Sequence, residues 1–191
     1  MLKGAWIMKV KLALVLCCGV VLGVGCAPPR PASVHSQDTL AAQVRETVAM
    51  FKNTNPGIHP FFEKSHGYAV LPRVGKGAWI VGGAFGRGEV FARGEKVGYC
   101  AMSQATIGFS FGGEFFREII FFRDEYDLER FATTNFAFSA QMTAVALTAG
   151  VAVKEDYQDG MAVFVMPDAG LMVDASMGGQ AFEYESVFAR P

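Results

Sequence analysis

The stretch GKGAWIVGGAFGRGEVFARG, residues 75–94, holds seven glycines in twenty residues, with basic side chains between them. Glycines beside basic residues are typical of phosphate-binding loops. A Walker loop, however, needs Ser or Thr after Gly-Lys, and Gly75-Lys76 is followed by Gly77. The third glycine of a dinucleotide fingerprint is also missing, and no helical pattern follows. We therefore interpret the stretch as strand, bend and strand, with glycines where the sheet curves tightly, and expect no nucleotide site.

The composition predicts one domain built mainly of strands and tight turns. The chain has 191 residues, half of them hydrophobic, with 22 Gly and seventeen Phe. A domain typically has ~100 to 150 residues, and aromatic and glycine-rich composition favours strands over long helices. The formal net charge of −1 makes a general nucleic-acid-binding role unfavourable.

Residues 1–25 have the pattern of a secretion signal. Lys9 and Lys11 precede an apolar run at residues 12–24, shorter than the ~20 residues of a membrane-spanning helix. A start at Met8 would give the more typical signal. The run ends in LGVGC, residues 22–26, which resembles a bacterial lipobox, although glycine stands where Leu is usual. The resemblance implies a lipid-modified Cys26; the alternative is an ordinary cleaved signal with an incidental cysteine.

Residues 26–37 are rich in Pro, Ala and Ser and predict a flexible tether after the lipidated cysteine. The folded domain is expected at residues 38–188. In the processed chain Cys100 is the other cysteine, so no intramolecular disulfide is expected. Pro28 stands where Asp would favour retention at the inner membrane. The expected location is therefore the cell envelope, on the periplasmic face of the outer membrane.

The periodicity of the domain predicts an α+β fold. Apolar residues at helical spacing from Asp38 to Phe51 predict a first helix, and Asp124 is a candidate N-cap of a second. Alternation at residues 107–112 and 145–151 predicts strands. Turn signals at residues 167–170 and 178–179 predict hairpins. We expect a curved antiparallel sheet, or a barrel-like sheet, with two flanking helices.

Two patterns imitate catalytic or metal sites. Gly108 to Gly112 fit the G-x-S-x-G elbow, which would make Ser110 an esterase nucleophile. That elbow needs a helix after the turn and a later histidine, and all three histidines lie upstream. His59, Glu63 and His66 lack further ligands to complete a metal site. We expect no catalytic residue, no metal and no cofactor; an esterase remains a minor alternative.

Four stretches together resemble the SYLF domain, a lipid-binding domain found in bacterial envelope lipoproteins and in eukaryotic phosphoinositide- and actin-associated proteins. The resemblance covers about residues 39–187. The stretches are YAVLPRVGKGAWIVGGAFGRGEVF from Tyr68, MSQATIGFSFGGEFFREIIFFRDEYDLERF from Met102, NFAFSAQMTAVALTAGVAV from Asn135 and AVFVMPDAGLMVDASMGGQAFEYE from Ala162. It implies a non-enzymatic module with affinity for anionic lipid head groups, and it assigns no lipid-contacting residue.

Charge is distributed unevenly. Residues 26–123 carry eleven Lys and Arg against seven acids, and residues 124–191 carry three against eleven. Basic side chains near Trp79 and Phe85 could meet an anionic head-group layer. The candidate lipid-binding residues are Arg73, Lys76, Trp79, Arg87, Arg93 and Lys96. The alternative is a structural or protein-interaction module of the envelope, with solvated turn residues and an unidentified protein partner.

Overall fold

The computed structural model describes residues 28–54, 56–78, 81–133, 136–139, 145–146 and 157–188. For residues 78, 81, 106–112, 136–139, 145–146 and 169–179 it describes the backbone. The fold is α+β, as predicted, with a curved sheet that is antiparallel apart from one two-residue strand. The predicted signal segment, with Cys26, lies outside the described residues.

Three helices and six strands make up the described part of the chain. The helices are α1 (Val34–Thr54), α2 (His59–Lys64) and α3 (Glu125–Ala132), and a 3₁₀ turn at Pro56–Ile58 precedes α2. The strands are β1 (Gly67–Ala78), β2 (Val81–Ala92), β3 (Glu95–Phe122), β4 (Phe136–Ser139), β5 (Val145–Ala146) and β6 (Met161–Ser186). The short helix α2 was not predicted.

The sheet is a set of nested hairpins. The β1–β2 hairpin is innermost, and β3 pairs with both of its strands: residues 95–107 with β2, and residues 112–122 with β1. Both pairings are antiparallel, and β1 and β2 run in opposite directions. The direction of β3 must therefore reverse between residues 107 and 112. Strand β6 pairs along nearly the whole of β3 and reverses with it.

Two turns predicted in the C-terminal part are wrong. Residues 167–170 and 178–179 lie inside β6, which is continuous over 26 residues. The register passes from Phe115 opposite Ala169 to Phe116 opposite Pro167, so Asp168 is accommodated as a bulge. In the inner hairpin β1 ends at Ala78 and β2 begins at Val81, so the Gly82-Gly83 pair lies within β2.

Two hydrophobic clusters cover the two faces of the sheet near one end, which we call the proximal end. Here the start of β1 meets the end of β3, and the end of β3 meets the start of β6. Leu40, Val44 and Phe51 of α1 pack on one face, the outer face. Leu128 and Phe131 of α3 pack on the other, the inner face. The opposite half, towards the reversal of β3, is called the distal half.

The folded part begins earlier than predicted. Helix α1 starts at Val34, four residues before the predicted domain start at Asp38. The preceding residues already contact the sheet, because Arg30 forms an ion pair with Glu185 at 3.3 Å and donates a hydrogen bond to the Ser186 carbonyl at 3.0 Å. Part of the predicted tether therefore belongs to the fold. None of the described helices is long and apolar enough to cross a membrane.

The predicted start of the second helix is confirmed. The side chain of Asp124 accepts a hydrogen bond from the backbone N–H of Asp127 at 3.1 Å, which is N-cap geometry. Leu128 and Phe131 are buried below it, as their spacing predicts.

Candidate functional site

Two phenylalanines are exposed on the outer face of the distal half. Phe85 in β2 and Phe115 in β3 are both register partners of Gly75 in β1, so their positions flank that glycine. They are 42% and 40% exposed. A Cβ atom at position 75 would approach the Phe115 ring to 3.2 Å. Glycine at this position therefore leaves room for the ring beside it.

An arginine accompanies each of these rings. The guanidinium carbon of Arg73 lies 4.1 Å from the centroid of the Phe115 ring, and that of Arg87 lies 5.8 Å from the Phe85 ring. Arg73 and Arg87 are themselves register partners across β1 and β2. We call Arg73, Phe85, Arg87 and Phe115 the aromatic–arginine patch. It carries two positive charges on an apolar surface.

The charges of the patch are not neutralised locally. In the part of the chain that the structure describes, neither Arg73 nor Arg87 forms an ion pair. The buried Nε atom of Arg87 has no hydrogen-bond partner among the described atoms. The neighbouring Arg117 differs, because it forms an ion pair with Asp168 at 3.2 Å. The two patch arginines thus remain available to an external anion.

Lys76 lies on the opposite face from the patch. Side chains alternate along a strand, and Lys76 follows Gly75 by one residue. Its side chain is 11% exposed and pairs with Glu114 at 3.9 Å. Because Lys76 lies on the inner face and pairs with Glu114, it does not belong to the aromatic–arginine patch.

Lys96 lies in an ion pair near the proximal end. Its Nζ atom is 3.0 Å from the buried carboxylate of Glu89 and 3.3 Å from the hydroxyl of Tyr99. Burial alone would lower the pKa of Lys96, but the hydrogen bonds and charges of Glu89 and Tyr99 raise it overall. Lys96 therefore has a structural role, because the buried Glu89 carboxylate would be costly without a positively charged partner.

Arg93 lies at the proximal end, in the two-residue turn between β2 and β3. Arg93 and Gly94 both have positive φ, 50° and 83°, as a type I′ hairpin turn requires. Arg93 and Gly94 line a cavity of about 460 Å³ on the side of the sheet that α1 covers. The register therefore separates Arg93 from Arg73 and Arg87, since the patch lies several residues along the strands. Trp79 and Cys26 lie outside the described residues.

Glu118 is a buried acid on the inner face of β3. It is completely buried, and one of its oxygens accepts a hydrogen bond from Gln180 at 3.4 Å while the other has no partner among the described atoms. Burial raises the pKa of Glu118 to about 7, and the bond from Gln180 opposes this rise. Burial also raises the pKa of the Cys100 thiol. This thiol is therefore a poor nucleophile at neutral pH.

The backbone around Ser110 is that of a strand residue paired with Asp174. The nucleophile elbow needs a sharp turn into a helix, and β3 continues to Phe122. Among the described residues, no three His, Cys, Asp or Glu side chains come together as a metal site.

Sequence reasoning missed two residues that the structure brings to these regions. Phe115 reaches the patch through the β1–β3 pairing, and Lys52 reaches the proximal cavity through the packing of α1. A signal for Phe115 exists, because it has the same period-two spacing as Ile107, Phe109 and Phe111, with Gly113 between. Lys52 carries no such signal.

Comparison with known proteins gives one distant relative. No protein-family model matches the chain. A stretch of 133 residues, 68% of the chain, is 27% identical to beta cell expansion factor A from Aeromonas veronii. The chain spans half the length of that relative.

Proposed function

We propose that the chain is a non-enzymatic, lipid-anchored protein of the cell envelope, whose domain binds anionic membrane surfaces through the aromatic–arginine patch. The observation that carries this proposal is the patch itself: two exposed rings, each beside an arginine without an acidic partner among the described residues. Exposed Phe side chains can bury their apolar rings at the boundary between head groups and acyl chains, and arginines attract anionic head groups.

The distribution of charged and apolar side chains over the two faces of the sheet supports membrane binding by the outer face. The outer face of the distal half presents Phe85 and Phe115 to solvent. On the inner face the charged pair Lys76 and Glu114 is sheltered, and its lysine is 11% exposed. Apolar and cationic groups thus share the distal half of the outer face, beyond the region on which α1 packs. The resemblance to the SYLF domain, a lipid-binding family, points in the same direction.

The anchor proposal rests on the lipobox-like residues 22–26 and on Cys26 as the modified cysteine. It places the domain at the envelope, with the periplasmic face of the outer membrane as the proposed location. The first described residues, 28–33, lead directly into α1. Three residues therefore separate Cys26 from Arg30, which contacts the sheet, and so short a link would hold the domain close to the bilayer.

Vesicle flotation tests the proposal. The chain from residue 27 onwards, which carries neither the predicted signal segment nor Cys26, is mixed with phosphatidylcholine vesicles, with or without phosphatidylglycerol. The chain should float with the anionic vesicles, and the double substitution Arg73→Gln, Arg87→Gln should weaken this binding about 30-fold, since two basic side chains contribute ~1 kcal/mol each. Added salt should weaken it as well, because ions screen exposed charges.

Matched substitutions elsewhere on the surface provide the controls. Arg45→Gln removes one exposed charge from α1, and Phe188→Ser removes an aromatic ring that is 78% exposed. Both should leave flotation unchanged, whereas Phe85→Ser with Phe115→Ser should reduce it. Flotation that ignores lipid charge, salt and the patch substitutions would contradict the membrane proposal. That result would favour the alternative, a structural or protein-interaction module of the envelope.

A further inference from the structure

The exposed side of α3 carries two glutamates that the fold does not pair. Glu125 and Glu129 are exposed and lie one helical turn apart. Neither forms an ion pair within the part of the chain that the structure describes. Repulsion between like charges at this spacing disfavours the helix, and Glu129 lies beyond the first turn, where the helix dipole would favour an acid. The fold therefore gains little from these two charges.

The basic side chains close to these glutamates in the sequence pair with other acids. Arg123 lies 3.4 Å from Asp124, and Arg130 lies 2.9 Å from Asp159. The same helix exposes an aromatic ring, because Tyr126 is 67% exposed. This surface thus combines two negative charges with a ring. We use the name acidic face of α3 for Glu125, Tyr126 and Glu129.

The aromatic–arginine patch has the complementary composition. It combines two positive charges, on Arg73 and Arg87, with the exposed rings of Phe85 and Phe115. The spacing of the charges also matches. Residues four apart on a helix have Cβ atoms about 5 to 6 Å apart, and opposite residues on antiparallel strands have Cβ atoms about 4.5 to 5.5 Å apart. Two carboxylates and two guanidiniums can therefore pair side by side, with the rings of the two surfaces packed beside them.

The two surfaces cannot meet within one molecule. The patch lies on the outer face of the distal half, whereas α3 packs on the inner face near the proximal end. The acidic face of one copy can therefore reach only the patch of another copy. A contact between two different surfaces leaves one patch and one acidic face unoccupied in every pair, so further copies can join.

We propose that copies of this chain associate head to tail, with the aromatic–arginine patch of one copy against the acidic face of α3 of the next. The small size of both surfaces makes this contact weak and reversible. Attachment of many copies to one envelope raises their local concentration and therefore favours the contact.

This association uses the patch of the membrane proposal but does not depend on that proposal. The patch can contact a bilayer or a second copy, and not both at once. The two partners therefore compete, and anionic vesicles should shift associated copies towards monomers. The acidic face takes no part in the proposed membrane contact, so substitutions on α3 separate the two proposals.

Sedimentation velocity of the chain from residue 27 onwards, over a range of protein concentrations, tests the association. The sedimentation coefficient should rise with concentration, and salt should reverse this rise because ions screen exposed charges. Two variants remove one surface each: the helix variant, Glu125→Gln with Glu129→Gln, and the patch variant, Arg73→Gln with Arg87→Gln. Each should weaken association about tenfold, the combined contribution of two exposed ion pairs.

A mixture of the two variants distinguishes this contact from other kinds of association. The helix variant keeps an intact patch, and the patch variant keeps an intact acidic face. At concentrations at which neither variant associates alone, the mixture should form one-to-one pairs and nothing larger, because one intact contact is possible between them. Association of patch with patch would give no such pairs.

The control removes two exposed acids from α1, Asp38→Asn with Glu46→Gln, and should leave association unchanged. The helix variant should float with anionic vesicles as the original chain does, so failure of the membrane proposal is observed separately. A chain that sediments as a monomer at every concentration would overturn the proposal. Association that the helix variant leaves unchanged in correctly folded protein, or a mixture of the variants without pairs, would overturn it as well.

Discussion

Buried acids occur on both faces of this sheet, and their partners differ. Glu89 has a lysine at 3.0 Å, whereas Glu118 has an amide at 3.4 Å and one oxygen without a partner among the described atoms. A neutral amide compensates a buried negative charge only weakly. Glu118 is therefore the acid whose protonation state the fold controls, with its pKa raised to about 7 by burial.

Glu118 makes the stability of the fold depend on pH. The pKa in the folded state, about 7, lies above the usual 4.5, so the folded state holds a proton that the unfolded state has lost between these values. The contribution of Glu118 to the free energy of unfolding is therefore largest below about pH 4.5. It falls by about 3 kcal/mol in total as the pH rises towards 7.

The substitution Glu118→Gln should remove most of this dependence. Chemical denaturation at about pH 5 and about pH 8 is the measurement. The substituted chain should be more stable than the original at the higher pH, because no buried charge forms. Glu46→Gln, at an exposed position of α1, should leave the pH dependence as it was. An equal fall in stability with pH for the original and the Glu118→Gln chain would contradict the assignment.

Local sequence was sufficient to predict elements whose determinants are local. The N-cap at Asp124 depends on residues three apart, and the alternation at 107–112 depends on neighbours two apart. The reversals of β3 and β6 have no such local origin. Glycines at 178–179 resemble a turn, yet their backbones pair with Ala105 and Thr106 across the sheet. Strands β3 and β6, with 28 and 26 residues, are also far longer than the usual ~5 to 6. Typical strand lengths therefore led to the prediction of several short strands joined by hairpin turns.

The candidate sites show the same limit. Arg73, Arg87 and Arg93 were predicted as one basic region because they are close in sequence. The register separates them, with Arg73 beside Arg87 in the distal half and Arg93 at the proximal end. The alternation of side chains along β1 places Lys76 and Gly75 on opposite faces. Which face is the outer one depends on the bulge between Leu71 and Val74, which the sequence did not reveal.

Two tight turns of similar backbone conformation offer a matched test at the level of the element. Gly94 and Gly160 have φ of 83° and 82°. A Cβ at position 94 would meet no atom within 4 Å, whereas one at position 160 would collide with the carboxylate of Asp127. Asp127 is 3% exposed, so its carboxylate has little room to move.

Alanine substitution should therefore affect the two turns differently. Gly94→Ala should cost about 1 kcal/mol of stability, the strain of a left-handed residue. Gly160→Ala should cost at least about 1 kcal/mol more, because the collision displaces a buried carboxylate and loosens the start of β6. Denaturant midpoints of the two chains provide the comparison. Equal losses of stability would mean that the Asp127 carboxylate moves away from the new Cβ atom at no cost in free energy.

At the scale of the whole molecule, the two halves of the sheet have different environments. The proximal half is covered by α1 on one face and α3 on the other. The outer face of the distal half exposes Phe85 and Phe115. Negative charge is found on the inner side of the molecule, because the acidic residues of α3 lie on the face opposite α1. We therefore expect a membrane to approach the outer face of the distal half, where Arg73 and Arg87 lie.

The proposed anchor and the patch act on the same bilayer, and their effects should combine. Lipid attachment at Cys26 raises the local concentration of bilayer around the patch, so loss of the patch alone should leave the lipidated chain in the membrane fraction. With residues 1–25 replaced by a signal that is cleaved independently of Cys26, Cys26→Ala alone should release part of the protein, to an extent that increases with salt. The triple substitution Cys26→Ala, Arg73→Gln, Arg87→Gln should release nearly all of it.

Fractionation of cell envelopes at low and high salt measures this series, with Arg45→Gln added to Cys26→Ala as the charge-matched control. The arginine substitutions should matter only when the lipid is absent, because a covalent lipid anchor binds the membrane more strongly than two surface contacts of ~1 kcal/mol each. Complete retention of the Cys26→Ala chain at high salt would exclude the anchor as the main attachment. Release caused by the arginine substitutions in the chain with Cys26 intact would instead make the patch the principal membrane contact.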